Sequence, residues 1–155
     1  MTEPTASRPH MPGYGIADSE SGLLPWSWAQ ERLTNASRYW VVTVAPDGAP
    51  HAMPVWAVWH ENGLWFSTGG GSRKARNLRD NPRCTVHTEG GEPVVVHGTA
   101  EFVSEAVEAV LDAYARKYGS RPPDLAENPL IHVRPAWAFG LVESEFTTSP
   151  TRWEF

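Results

Sequence analysis

A segment rich in hydroxyls, glycines and cations is the part of the sequence whose residue types best suit binding chemistry. Ser67 and Thr68 precede three consecutive glycines, and Ser72 stands where it can cap a short helix that opens with Arg73 and Lys74. Free backbone N–H groups, the helix dipole, hydroxyl groups and cationic side chains are the groups that bind phosphate in proteins. The pattern predicts an anion site, and the alternative is a glycine-rich loop followed by an ordinary solvated helix.

Basic residues are concentrated in this segment although the whole chain is acidic. The formal net charge is −5, yet five of the 13 lysines and arginines lie here: Arg73, Lys74, Arg76, Arg79 and Arg83. The GxxxxGK[ST] spacing of a P-loop is absent, and nothing suggests ligands for Mg²⁺. The segment is therefore not expected to be a nucleotide-binding P-loop.

Other classes of reactive site find little support in the residue spacing. The six histidines are scattered with neither an H-x₃₋₅-H nor an HExxH spacing, so no metal site is predicted. No G-x-S-x-G motif marks a serine hydrolase. Cys84 is the single cysteine, which excludes an intramolecular disulfide and any CxxC site, and its place in a strand favours burial.

The elements that must position the glycine-rich segment begin with three predicted strands. Tyr39–Val44, Val55–Trp59 and Leu64–Thr68 are rich in aromatic and β-branched residues. They are separated by turn signals, Asp47-Gly48 and Asn62-Gly63. The pattern predicts an antiparallel meander of three strands.

Three helices are also predicted. The first begins near Ser27, which has the spacing of a capping box with Gln30, and ends near Asn35. The second covers Arg73 to about Asp80. The third is predicted to be capped by Ser104, to end at Gly119 and to present one apolar face at helical spacing: Val107, Val110, Leu111, Tyr114 and Tyr118.

The remaining strands indicate the fold class. They are predicted at Cys84–His87, Pro93–Val103, Trp137–Val142 and Thr151–Phe155. Several short strands at hairpin spacing with few helices predict a mainly β, α+β protein built as a small antiparallel barrel with peripheral helices.

Composition favours one soluble, cytoplasmic domain. The chain has 155 residues, 41% of them hydrophobic, which suffices for a core. Its acidity argues against nucleic-acid binding, no apolar run approaches the roughly 20 residues of a membrane span, and the N-terminus lacks a secretory apolar region. Residues 1–20, rich in proline and glycine, are predicted to be a flexible arm, and residues 21–155 a single domain. The eight tryptophans suit a core, a subunit interface or a planar ligand.

Several motifs taken together resemble a known family. Phe66–Ala75, Asn81–Arg83 and Val96–Glu101 resemble the pyridoxamine 5′-phosphate oxidase-like family of FMN-binding split barrels. Tyr39–Val44, with the Asp47–His51 and Pro54–Trp56 stretches, and the terminal Thr151–Phe155 are similar to its actinobacterial flavin/deazaflavin oxidoreductase branch. The resemblance covers about Tyr39 to Phe155. It implies a six- to seven-stranded antiparallel split barrel that forms a homodimer, with the cofactor at the subunit interface.

The resemblance also implies which residues bind the cofactor. The phosphate end would lie on the hydroxyls and cations of the glycine-rich segment, and the ring would lie along the backbone of Met53–Val55. Trp153 resembles positions that reach toward the cofactor of the partner subunit, and His51 is a candidate proton donor; no other catalytic side chain is identified. The implied cofactor-binding set is Met53, Pro54, Val55, Trp56, Ser67, Thr68, Ser72, Arg73, Lys74, Arg79 and Trp153.

Departures from the family pattern shape the functional expectation. Ala52 stands where the oxidase has an arginine, Ala57 stands where it has a lysine for its vitamin's phosphate, and the C-terminal Trp/Arg/His substrate motif is missing. These changes argue against oxidation of pyridoxamine phosphate. The string of cations favours F₄₂₀, an 8-hydroxy-5-deazaflavin with an anionic phospholactyl-oligoglutamate tail.

The expected function is therefore F₄₂₀-dependent hydride transfer to a small organic substrate. Two alternatives stay open. One is an FMN-dependent oxidase or reductase on the same fold, and the other is a non-catalytic module that binds a flavin or a haem.

Overall fold

The computed structural model describes residues 2–155 of the chain. More of these residues lie in strands than in helices, and three α-helices lie around the strands. The strands are β1 (Thr5–Ser7), β2 (Tyr39–Val44), β3 (Pro50–Val55), β4 (Ala57–His60), β5 (Gly63–Ser67), β6 (Arg83–His87), β7 (Val94–Val103), β8 (Leu130–Gly140) and β9 (Thr151–Glu154). The helices are α1 (Trp26–Asn35), α2 (Arg73–Asp80) and α3 (Glu108–Tyr118), and a 3₁₀ turn covers Glu143–Glu145.

The nine strands of residues 2–155 form one antiparallel sheet, whereas the resemblance implied six to seven strands. Its main order is β1-β9-β8-β7-β6-β2-β3. Strand β8 is long enough to pair with two strands on its second edge, because Leu130–Val133 pairs with β5 and Trp137–Gly140 pairs with β9. Strand β5 also pairs with β4. The mainly β architecture with peripheral helices is thus confirmed, and no helix within residues 2–155 has the length and apolarity to cross a membrane.

The predicted three-strand meander is wrong, because two strands, β3 and β4, stand in place of the single middle strand expected at Val55–Trp59 and are separated at Trp56. The chain leaves the ladder there: β3 ends at Val55 and pairs with β2, whereas β4 begins at Ala57 and pairs with β5. Pro54 removes a backbone donor close to the break, which is tolerated because β3 is an edge strand of the main sheet order. Two hairpins therefore replace the meander, and a cleft opens between them.

The N-terminal caps predicted for the three helices are confirmed only in part. The Ser72 Oγ accepts a hydrogen bond from the Ala75 N–H at 3.3 Å, so the predicted cap of α2 is confirmed. The predicted capping box of α1 is wrong, because Pro25 occupies the N-cap and the Gln30 amide donates to Asn62 Oδ1 at 3.0 Å instead. Helix α3 begins at Glu108 without a side-chain cap, several residues after Ser104.

Three groups of buried side chains hold the elements together. The barrel interior is built around Tyr39, Leu64 and Phe66. Helix α1 packs on a second group centred on Trp26 and Trp153. Helix α3 buries its predicted apolar face, with Val110, Leu111 and Tyr114 against β4 and the start of β8. The packing of α3 on β4 places the tyrosines of that helix beside the strand break.

The N-terminal segment differs from the predicted flexible arm. Thr5–Ser7 pairs with β9, and the Arg8 guanidinium donates to four backbone carbonyls, those of Ser19, Ser21, Thr148 and Pro150, at 2.6–2.9 Å. Composition could not indicate this ordered structure. The segment is held by pairing with the edge of the sheet and by the hydrogen bonds of one arginine, which take the place of apolar contacts. Met1 lies outside the described residues.

Candidate functional site

A cleft of about 410 Å³ opens at the strand break. Six of its lining residues belong to the set predicted from the sequence, although they come from three separate segments of the chain. The lining consists of Arg38, Pro54, Val55, Trp56, Ser67, Thr68 and Lys74. The fold therefore brings the predicted ring segment and the predicted phosphate segment together around one space.

Ser67, Thr68 and Lys74 line one part of the cleft, and we call the segment from Ser67 to Lys74, with the glycine loop between them, the phosphate wall. Thr68 Oγ1 and Ser72 Oγ lie 3.3 Å apart, and Ser72 also caps α2. The Ser67 hydroxyl donates to the Asn128 carbonyl at 2.8 Å, and the Gly70 N–H donates to the Glu127 carbonyl at the same distance. The loop between α3 and β8 therefore holds the glycine loop on the side away from the cleft. The side that faces the cleft stays open.

Lys74 places a cation in the cleft without an internal partner. Its side chain is half-buried, and among the described residues its ammonium makes no hydrogen bond or ion pair. Burial lowers the pKa of Lys74 below the ordinary value of 10.5. Arg73 and Lys74 both occupy the first turn of α2, where no acidic residue offsets them. Two cations at the positive end of a helix dipole are unfavourable, and a bound anion would relieve both costs.

Arg38 is a lining residue that the sequence interpretation missed. It follows α1, just before β2, and its guanidinium forms no hydrogen bond or ion pair within residues 2–155. A lone arginine ahead of a strand carries no recognisable motif, so only the folded arrangement shows that it lines the same cleft as Lys74. Arg38 and Lys74 together give the cleft two cationic groups and no acidic one among its lining residues.

Five other predicted residues do not line this cleft, and the fifth of them, Trp153, is described below. Met53 lies on β3 one residue from the lining, with 42% of its surface exposed, while Arg73 projects from α2 into solvent and Ser72 is half-buried at the helix cap. The Arg79 guanidinium donates to the Gly70 carbonyl and covers the Phe102 ring at 4.8 Å. Arg79 therefore holds the glycine loop and is not free for a ligand.

The position of Trp153 contradicts the prediction that this residue binds the cofactor. Its side chain is fully buried, and its indole N–H donates to the Leu24 carbonyl at 3.2 Å. The rings of Trp26 and Trp28 pack against it, with centroid distances of 5.4 and 6.3 Å. A side chain enclosed in this way has no surface to offer a cofactor of either subunit, so Trp153 is a core residue.

His51 also lies outside the cleft lining. It stands opposite Thr43 in the β2–β3 ladder, and its Nδ1 is buried without a hydrogen-bond partner in the described part of the chain. Across residues 2–155 no group of histidine, cysteine or acidic side chains is arranged to hold a metal ion. The cleft therefore offers hydrogen-bond donors, two cations and an exposed indole, which suit a phosphorylated ligand with a flat ring.

Comparison with known proteins gives a family match and several similar folds. The family model for pyridoxamine 5′-phosphate oxidase matches residues 28–141. A solved structure of an F₄₂₀ reductase shares 24% identity at a TM-score of 0.61, covering 70% of this chain and 94% of that one. A conserved hypothetical protein of Mycobacterium tuberculosis, Rv2991, shares 20% identity at a TM-score of 0.63, covering 84% and 85%.

A haem storage protein is also among the similar folds. HutZ, the haem storage protein of Vibrio cholerae, shares 19% identity at a TM-score of 0.56, covering 71% of this chain and 86% of that one. No match was found among curated protein sequences. At these identities the solved structures establish a shared fold and leave the ligand to be argued from the cleft itself.

Proposed function

Because the chain belongs to the pyridoxamine 5′-phosphate oxidase family, whose members bind FMN-type flavins, we propose that it is a flavin- or deazaflavin-dependent oxidoreductase with its cofactor in the cleft between β3 and the phosphate wall. The observation that carries the proposal is the pair of unpartnered cations, Arg38 and Lys74, in one cleft with a capped helix start and an exposed indole. These are the groups needed to bind a phosphate and a flat ring together.

F₄₂₀ is the proposed cofactor, and FMN is the second candidate. Ala52 and Ala57 leave the oxidase's arginine and lysine positions without charge, which weakens the case for pyridoxamine phosphate as substrate and for FMN as cofactor. Arg73 and Arg76 are exposed on α2, and within the described chain neither makes a side-chain hydrogen bond or ion pair. The positive charges of Arg73 and Arg76 continue from Lys74 along α2, away from the cleft. An anionic tail would need cations in this place.

The chain's own part in the reaction is binding and orientation. Lys74, Arg38 and the Thr68 hydroxyl would hold the phosphate, while the Pro54–Trp56 segment would lie along the ring. When bound, the reduced cofactor supplies the hydride for a small organic acceptor. The lining contains no carboxylate or imidazole, so we assign no acid or base among these side chains.

The test of this proposal is a titration of the purified protein with F₄₂₀ and with FMN, followed by absorbance and fluorescence. We expect saturable binding of F₄₂₀ at lower concentration than FMN, and then oxidation of reduced F₄₂₀ by candidate acceptors in the presence of the protein. Preferential FMN binding would support the second candidate. Binding of haem with neither flavin would overturn the proposal in favour of a storage module.

We propose further that the active form is a homodimer. Val42, Val44, His97 and Trp137 lie half-buried on the outer sheet face, where they line a groove of about 420 Å³. A second copy covering this face would be expected to bury well over ~1,000 Å² in total.

Light scattering at micromolar concentration should return a dimer. Val42→Glu should return a monomer with weakened cofactor binding, whereas Ala109→Glu, an equal charge change on the exposed face of α3, should stay dimeric; a wild-type monomer would contradict the shared site.

Cofactor affinity should decline at alkaline pH because of Lys74. The pKa of Lys74 is already lowered in the free protein, so on raising the pH the ammonium loses its proton before pH 10.5 is reached. Once that proton is lost, binding of a phosphate must restore it. Affinity is expected to be full at neutral pH and to fall as the pH rises through the lowered pKa. Over the same window the unfolded chain holds more protons than the folded one, so the free energy of unfolding should rise.

The matched variant for this pH dependence is Lys74→Arg, which keeps its charge at alkaline pH. FMN titrations between pH 7 and 10.5 should show a decline for the wild type and a nearly flat profile for the arginine variant. Parallel profiles for the two proteins would show that Lys74 is not the group responsible.

A further inference from the structure

The strand break at Trp56 is held by hydroxyl groups from α3. The Tyr114 Oη donates to the Trp56 carbonyl at 2.7 Å and accepts from the Ser67 N–H at 3.1 Å. Trp56 belongs to the side of the cleft that faces the proposed ring, and Ser67 belongs to the phosphate wall. One phenol oxygen thus joins the two sides of the cleft.

Tyr118, one helical turn later, fixes the same break from the next residue. Its Oη accepts from the Ala57 N–H at 3.0 Å and donates to the Ala57 carbonyl at 2.9 Å. Its ring stacks on the Trp56 indole with a centroid distance of 4.7 Å and an interplanar angle of 4°. The Lys117 ammonium donates to the same Ala57 carbonyl at 3.0 Å. The indole is therefore held in one orientation although 55% of its surface is exposed.

Packing of α3 does not account for these bonds. Val110 and Leu111 anchor the helix in its apolar group and need no hydroxyls to do so. Every hydrogen bond made by the two phenols goes to backbone at residues 56, 57 or 67, all at the cleft or next to it. Burial raises the pKa of both Tyr114 and Tyr118, so both remain protonated donors at physiological pH.

We propose that Tyr114 and Tyr118 are positioning residues that set the spacing between the ring side and the phosphate side of the cleft. The inference rests on the proposed function, because it concerns a ligand that carries both a flat ring and a phosphate. Such a ligand benefits from both subsites only if they are held at the correct separation beforehand. A ligand with the ring alone does not depend on that separation.

The experiment is Tyr114→Phe, measured with two pairs of probes: F₄₂₀ against phosphate-free 8-hydroxy-5-deazariboflavin, and FMN against riboflavin. Loss of the bridging hydroxyl should weaken binding of the phosphorylated member about five- to tenfold, the equivalent of about one neutral hydrogen bond, and change the phosphate-free member less than about twofold. The ratio of the two dissociation constants is the readout, because general loosening of the fold would weaken both members together.

Thr88→Val is the matched control. The Thr88 hydroxyl is also buried and accepts from the Val94 N–H at 2.9 Å, but it bonds no residue of the cleft lining and none of the groups at the strand break. The variant should lower thermal stability and leave the ratio unchanged. A wild-type ratio in Tyr114→Phe, or an equal loss of ratio in Thr88→Val, would overturn the proposal.

A second variant covers the case in which Tyr114→Phe does not fold. Tyr118→Phe keeps the stack on Trp56 and removes only the bonds to Ala57, and it should reduce the ratio about two- to fivefold; an unchanged ratio there would overturn the proposal instead. If the wild-type protein binds none of the four probes, the proposed function itself is wrong. If the wild type binds the probes and the tyrosine variants bind them equally well, only the role of the tyrosines is wrong.

Discussion

Lys74→Ala is expected to weaken binding of F₄₂₀ and of FMN by roughly ten- to a hundredfold, because a charge-assisted hydrogen bond contributes on the order of 1.5–3 kcal/mol. Lys74 lines the cleft, is half-buried and lacks a partner among the described residues. The apo protein should keep or slightly raise its thermal stability, since alanine is the better helix former and a cation in the first turn opposes the dipole. Titration and thermal unfolding of the same preparation measure both effects.

Arg116→Ala is the control for loss of one positive charge. Arg116 is exposed in the last turn of α3 and does not line the cleft. It should leave both affinities within about twofold of the wild type, a bound taken from the small effects of exposed charges. High salt should weaken wild-type binding of F₄₂₀ more than that of FMN, because the tail has more anionic groups to screen. Wild-type affinity of Lys74→Ala for both cofactors would remove the phosphate assignment.

Trp153→Ala should destabilise the fold by about 3–5 kcal/mol, which is the range for truncating a buried tryptophan. The side chain is fully buried, packs against Trp26 and Trp28, and donates its indole N–H to the Leu24 carbonyl. The substitution would leave a large cavity and an unpaired carbonyl between α1 and the sheet. Urea unfolding followed by circular dichroism measures the loss.

Trp56→Ala is the contrasting variant. Trp56 is exposed over 55% of its surface, so its removal should change the free energy of unfolding by less than about 1 kcal/mol while weakening cofactor binding. The two tryptophans should therefore separate stability from binding. A stable Trp153→Ala protein that has lost only its cofactor affinity would reinstate Trp153 as a binding residue.

Local signals explain what the sequence could predict. The Ser72 cap, the cations after it and the proline following Asn81 define α2 without reference to the rest of the fold. The alternation of β2 places Tyr39, Val41 and Thr43 on the buried side, as a strand period requires. The resemblance then related Pro54–Trp56 to the glycine-rich segment, and these stretches do line one cleft.

Long-range geometry explains what the sequence could not predict. Arg38 is separated in the chain from every other residue of the cleft, and no spacing rule connects it to Lys74. Tyr114 and Tyr118 fit an apolar helix face, so their hydroxyls gave no sign that they would bond to the backbone at the strand break. Trp153 lies in a terminal motif that resembles a ligand-contacting one, and only its enclosure by α1 shows that it packs in the core.

The short strand β1 has a consequence for the solubility of the protein. Without it, β9 would present a row of unpaired N–H and C=O groups at the end of the sheet, and such an edge is a template for pairing with another chain. The Arg8 guanidinium holds β1 in place through carbonyls at both ends of the sequence. The N-terminal segment thus covers the edge of β9, and we expect a chain shortened by its first nine residues to aggregate more readily than the full chain.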